Sequence, residues 1–156
     1  MLNAPFFAGV GLVLFGAYML RYALRNDKQA LSSQSWPTVQ GTLLEVELWG
    51  RRNVGGTIKD AKHLNVKYEY EVRNTTYTAT EVSFYTLMYP ETTDFADNHP
   101  LNRAVTVHYD PMMPTNAVLI PGPRKDNKRF SDTILASAGI IVGVALSVSG
   151  WQGIIG

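Results

Sequence analysis

The chemistry open to this chain is narrow: three histidines, at positions 63, 99 and 108, and no cysteine among 156 residues. His108 and Asp110 stand two apart in "RAVTVHYDPMMPTNAVLIPG", Arg103 to Gly122. Side chains two apart on a strand point the same way, so a His-x-Asp pair can hold a metal. A metal site needs a third or fourth ligand, and no other spacing of that kind occurs. No metal and no cofactor is therefore expected. A serine triad needs a positioned nucleophile, and the chain has neither a Gly-x-Ser-x-Gly elbow nor a Ser-His-Asp set. The carboxylate pairs Glu45/Glu47 and Glu69/Glu71 fall on exposed strand faces, where solvation accounts for them. There is no Gly-rich phosphate loop. No catalytic residue is expected, and His108 with Asp110 is kept only as the alternative in which the chain is a membrane enzyme.

A second constellation has a different character. "WGRRNVGGTIKDAK", Trp49 to Lys62, combines an aromatic residue, four basic residues and three glycines. It reads as a connection too long for a simple hairpin, and such loops are functional or disordered. Trp49, Arg51 and Arg52 are the candidate partner-binding residues here. Nucleic acid would need a wider basic surface, and a formal net charge of +1 offers no general pull on polyanions.

The elements that must carry these residues are segregated by charge. All Lys, Arg, Asp and Glu lie between Arg21 and Asp132. The flanks, Leu2 to Leu20 and Thr133 to Gly156, have no charged side chain. About 20 apolar residues cross the hydrocarbon layer as a helix. Two transmembrane helices are therefore expected, over 2–24 and 130–155, enclosing a soluble β-domain over 35–122. No basic residue precedes the first apolar run and "RYALRNDK" follows it, which reads as a retained helix rather than a cleaved signal. Arg21, Arg25 and Lys28, with Arg124, Lys125, Lys128 and Arg129, lie near the inner helix ends. The positive-inside rule then puts the β-domain in the cytoplasm. Tyr22 and Trp151 fit interfacial anchors.

Within the second flank, Gly139, Gly143 and Ser147 recur at a spacing of four, with Ala136 and Gly150 one turn beyond on either side. Such a stripe lets two backbones approach closely. It serves either pairing of the chain's own two helices, against Gly9 and Gly16, or docking on another membrane protein.

In the middle the period becomes two. "TVQGTLLEVELW" places Leu44, Val46 and Leu48 on one face, with Gly41 marking a bulge or a close approach. "HLNVKYEYEVR" turns Leu64, Val66, Tyr68, Tyr70 and Val72 inward. Arg73-Asn74 reads as a two-residue turn that sets Val72 opposite Thr75 and Tyr70 opposite Tyr77. "TYTATEVSFY" continues as a strand with a bulge near Thr80–Glu81. "PETTDFADNHP" reads as a short helix with a Thr cap. Val105, Val107 and Tyr109 face inward, and Thr106, His108 and Asp110 outward. Pro111 and Pro114 make a rigid corner before a strand from Asn116 to Ile120. The expected core is Leu44, Val46, Val66, Tyr68, Tyr70, Val105, Val107 and Val118. The architecture is a five-stranded antiparallel β-barrel or sandwich with one short helix, flanked by two membrane helices.

"SWPTVQGTLLEVEL", "VKYEYEVRNTTYTATEVSF" and "VTVHYDPMMPTNAVL" resemble, in order, the three blocks of a widespread family of small bacterial membrane proteins. That family is known as domain of unknown function 3592. Its blocks are Trp-Pro-x-x-x-Gly, a Tyr-rich hairpin, and Val-x-Val-x-Tyr-x-Pro-x-x-Pro. Arg73-Asn74 departs from its commoner Asp-Gly-like turn. The resemblance implies a helix on each side and brings no activity or catalytic residue. The functional expectation is a non-enzymatic, membrane-anchored interaction module of the bacterial inner membrane, an accessory subunit of a larger assembly. Its partners are the lipid bilayer and another integral membrane protein or itself, with no nucleic acid. An immunity protein against a membrane-targeted toxin is the other alternative.

Overall fold

Small residues recur where two helices meet and Val and Tyr alternate where strands pair, and the elements follow that division. The computed structural model describes residues 4–125 and 131–152. In chain order these form α1 (Ala4–Ser33), β1 (Thr38–Val54), β2 (Thr57–Val72), β3 (Thr75–Ala79), α2 (Glu91–Asn98), β4 (Ala104–Tyr109), β5 (Ala117–Val118) and α3 (Ser131–Trp151). They divide into a helical unit, Met1–Lys28 with Arg124–Gly156, and a β unit, Gln29–Pro123.

In the helical unit, the stripe around Gly143 and Ser147 packs against α1. A Cβ added at Gly143 would lie 2.8 Å from the Gly9 carbonyl and 2.9 Å from Val13 N. At Gly16 it would lie 2.7 Å from Ile140 Cγ1. The Ser147 hydroxyl donates to the Gly143 carbonyl at 2.9 Å, so its polar group is satisfied within α3. The remaining faces are bare: Leu14, Phe15, Leu135 and Ile141 are each more than 60% exposed. Both helices are long and apolar enough to cross a membrane, with mean hydropathies of 1.6 and 1.9. Their apolar windows are only 11% and 17% buried, whereas the core helix of a soluble fold would be mostly covered.

In the β unit one antiparallel sheet runs β3-β2-β1-β4-β5, and its ladder is open. The Val82 carbonyl, just past β3, accepts from Leu119 N at 3.0 Å and Ile120 N at 2.8 Å, just past β5. These bonds draw the two edges of the sheet toward each other around the core. At its centre Leu43, Tyr68, Val107 and Val118 are fully buried. The single hydroxyl proton of Tyr68 has two carbonyls in reach, Glu81 at 2.8 Å and Ala117 at 2.9 Å. Tyr70 donates to the Pro114 carbonyl at 2.6 Å. Two tyrosines of one hairpin thus hold the corner that carries the prolines. Burial, and next the neighbouring Tyr70, pushes the Tyr68 phenol far above its ordinary 10. Gly41 is a close approach as expected: a Cβ there would sit 2.6 Å from the Glu69 carbonyl.

The Arg73-Asn74 turn has the expected register, with Val72 opposite Thr75 and Tyr70 opposite Tyr77. Both turn residues have positive φ, 53° and 63°. Five expectations are corrected. Trp49 to Lys62 is not a loop: β1 and β2 continue to a two-residue turn at Gly55-Gly56, whose φ values of 58° and 87° suit glycine. Leu43, not Leu44, is in the core, because the ladder skips a residue between Leu43 and Glu45 and leaves Leu44 38% exposed. β3 ends at Ala79 without a bulge, since the next residues leave the ladder to place Val82 against Leu119 and Ile120. β5 is only Ala117–Val118. Pro90 caps α2, while Thr92 is buried and donates to the Ala61 carbonyl at 2.7 Å, pinning the helix to β2.

Candidate functional site

His108 and Asp110 have separate surroundings. Asp110 is spent on the corner: its Oδ1 accepts from Met112 N at 2.9 Å, and its backbone N donates to the Asn116 carbonyl at 2.9 Å. Such an Asx turn is what Asp before proline commonly does. His108 was expected on a wet face, yet it is half-buried between Thr38 and Val118 in the ladder. Its Nδ1 is buried without a hydrogen-bond partner. Burial lowers its pKa below the ordinary 6.5. Strand alternation told which way it points but not that neighbouring strands shade it. His99 stacks on Phe95 at 4.1 Å with Nδ1 2.9 Å from the Phe95 carbonyl, which fits an Nδ1–H donor. His63 stacks under Trp49 at 4.3 Å. Among the described residues no group of three or more His, Asp or Glu could hold a metal.

The end of the β1–β2 ribbon presents a different surface. β4 pairs with β1 only along Thr38–Thr42, and β3 with β2 only along Tyr68–Val72. From Glu45 to Lys67 the ribbon therefore has no third strand in the sheet. Trp49 is 51% exposed, its ring held flat by His63 and its Nε1 donating to Asn65 Oδ1 at 3.1 Å. Opposite Gly50, whose φ is 82°, β2 carries one extra residue, which resets the pairing beyond it. Arg51 then lies opposite Asp60 and Arg52 opposite Lys59. The Arg52 guanidinium sits 4.7 Å over the Tyr89 ring. Arg51, Arg52, Lys59 and Lys62 are all exposed, as is Ile58 at 66%.

The sequence named Trp49, Arg51 and Arg52, and the ribbon brings all three to one end. Lys59 and Tyr89 were not singled out, although a Gly-Gly turn at 55–56 already implied that Arg52 faces Lys59. Gly139, Gly143 and Ser147 lie on α3; Gly143 and Ser147 face α1, while nothing lies within 4 Å of a Cβ at Gly139. Lys128 and Arg129 lie outside the described residues. A hollow of about 300 Å³ is lined by Glu45, Leu64, Asn65, Val66, Lys67 and Thr80, where β3 stops short along β2.

Neither a curated protein nor a solved structure matches the chain. A family profile does match, over residues 39–124, which is more than half of the chain. That span takes in the Gly41 approach, the Tyr68–Tyr70 hairpin and the proline corner, the parts locked together by the two tyrosine hydroxyls. The chain belongs to the family described as Domain of unknown function (DUF3592).

Proposed function

We propose that the chain is a non-enzymatic, two-pass module of a bacterial inner membrane that works by contact, as an accessory subunit of a larger membrane assembly. The two apolar helices support the anchoring. Arg21, Arg25, Lys28, Arg124 and Lys125 support a cytoplasmic β unit, because basic residues near helix ends stay inside. The observation that carries the reading is the end of the ribbon. Trp49 and Arg52 there are held in place by ring contacts yet exposed, while Asp110 is engaged in the proline corner. The contact surfaces are this end and the outer side of the helical unit, where Gly139 leaves room for a close approach. The partners are the bilayer and a further integral membrane protein or a second copy.

Co-purification in mild detergent tests this. Gly139→Leu is expected to lose the membrane protein that the parent chain carries and to keep its own fold. His108→Ala and Asp110→Asn are expected to keep both partner and phenotype. A folded Gly139→Leu protein that retains every partner, with His108→Ala abolishing the phenotype, would replace this reading with the enzymatic one.

A further inference from the structure

Arg52 and Lys59 are directly opposed across the ribbon. Like charges in that position repel and destabilise the pair. Arg51 and Lys62 add two more cations, and within residues 51–62 the sequence has one carboxylate, Asp60. Among the described residues, Lys59 and Lys62 have no ion-pair partner. Tyr89 holds the Arg52 guanidinium in place from one side without neutralising it. A surface that keeps uncompensated cations side by side is built for an anion from outside.

The apolar company of these cations selects which anion. The end of the ribbon is closed by the Gly55-Gly56 turn, and its cations share it with apolar side chains. Cations beside exposed apolar side chains suit an anionic lipid surface, whose headgroup layer takes both. Ile58, beside the turn, is 66% exposed, and Trp49 is of the type that settles at membrane interfaces. From Leu43 to Gly55 the ribbon can reach about 40 Å at the usual strand rise.

We infer that the ribbon end docks on an anionic phospholipid surface, with Arg52 and Lys59 straddling lipid phosphates and Ile58 entering the headgroup layer. This rests on the membrane-anchored reading and assigns the ribbon to the bilayer, leaving the helical unit for a protein partner.

The chain has no cysteine, so Ile58→Cys gives a single labelling site for an environment-sensitive fluorophore. The full chain is reconstituted in nanodiscs of phosphatidylcholine, or of phosphatidylcholine with equimolar phosphatidylglycerol. Alkaline-carbonate extraction of matching vesicles first establishes integral insertion; extraction of the protein would overturn both this inference and the anchoring beneath it. With the protein inserted, the label is expected to blue-shift, and to be quenched by nitroxide lipids, only on phosphatidylglycerol. The effect should fade toward 1 M salt, where screening shortens to about 3 Å. Arg52→Glu with Lys59→Glu should abolish it, each lost cation lowering the docked-to-free ratio roughly five-fold. A label that stays aqueous on phosphatidylglycerol overturns the lipid assignment and leaves the anchoring intact. Burial only when an acidic protein is added would move the site to a protein partner, and equal burial on both lipids would remove the role of charge.

Discussion

At the root of the β1–β2 ribbon the inner side chains are all engaged, and at its far end they stand free. Leu43, Tyr68 and Tyr70 are at most 2% exposed, and both tyrosine hydroxyls reach carbonyls of the opposite corner. Twelve residues along, Ile58 is 66% exposed and two cations face each other. An isolated two-stranded ribbon is marginally stable at best. The far end therefore draws its order from the root and from α2, which Thr92 fastens to Ala61. The contrast separates two parts of one hairpin: the root supplies folding energy, and the end holds side chains that cost a little stability and that the proposed function assigns to contact.

Breaking the root should be costly. Tyr68→Ala is expected to lose about 3–5 kcal/mol, as for a buried aromatic truncated to alanine. Tyr68→Phe should lose about 1–3 kcal/mol, because carbonyls of Glu81 and Ala117 lose their donor. Chemical denaturation of the β unit reads both. If Tyr68→Phe were silent, the cross-core bonds would not be what unites the hairpin and the corner.

In the helical unit the same contrast can be drawn between two glycines of one stripe. Gly143→Leu should separate α1 from α3, an overpacking cost of about 1–3 kcal/mol, since its Cβ would already collide with Gly9 and Val13. Gly139→Leu should leave helix pairing intact. Crosslinking between cysteines placed on α1 and α3 would distinguish them.

Relieving the far end should have the opposite sign from breaking the root. Lys59→Glu converts a repulsive cross-strand pair into an attractive one and should stabilise the protein by about 0.2–1 kcal/mol. A loss of stability would mean that Lys59 is used within the fold. The smallest effect concerns His108. Its folded pKa is depressed by burial, so the unfolded chain binds the proton more readily. Stability is then full above the unfolded value of about 6.5 and falls as pH drops through the folded value. His108→Gln should flatten that part of the stability–pH curve.

Much of the fold was legible because period-two alternation and turn chemistry act locally. Arg73-Asn74 fixed a register, and proline at 111 and 114 fixed a corner. Three features were not. "TLLEVEL" holds adjacent leucines, and alternation alone does not say that the ladder skips at Leu44. β3 ends where tertiary bonds from Leu119 and Ile120 capture Val82, a contact about 37 residues away in sequence. At the ribbon end polarity hides the strands, although Gly-Gly flanked by Val54 and Thr57 is a hairpin signal. For the candidate site the residue types were visible in sequence, while the facing of Arg52 and Lys59 emerged only once those strands paired.

Hydrogen exchange on the full chain, compared between detergent micelles and native membrane fragments, tests the division most directly. The account predicts that amides of residues 51–60 exchange quickly in micelles and slow down in the membrane, while those of 66–72 are protected equally in both. Equal exchange of 51–60 in the two settings, or slow exchange there already in micelles, would contradict it.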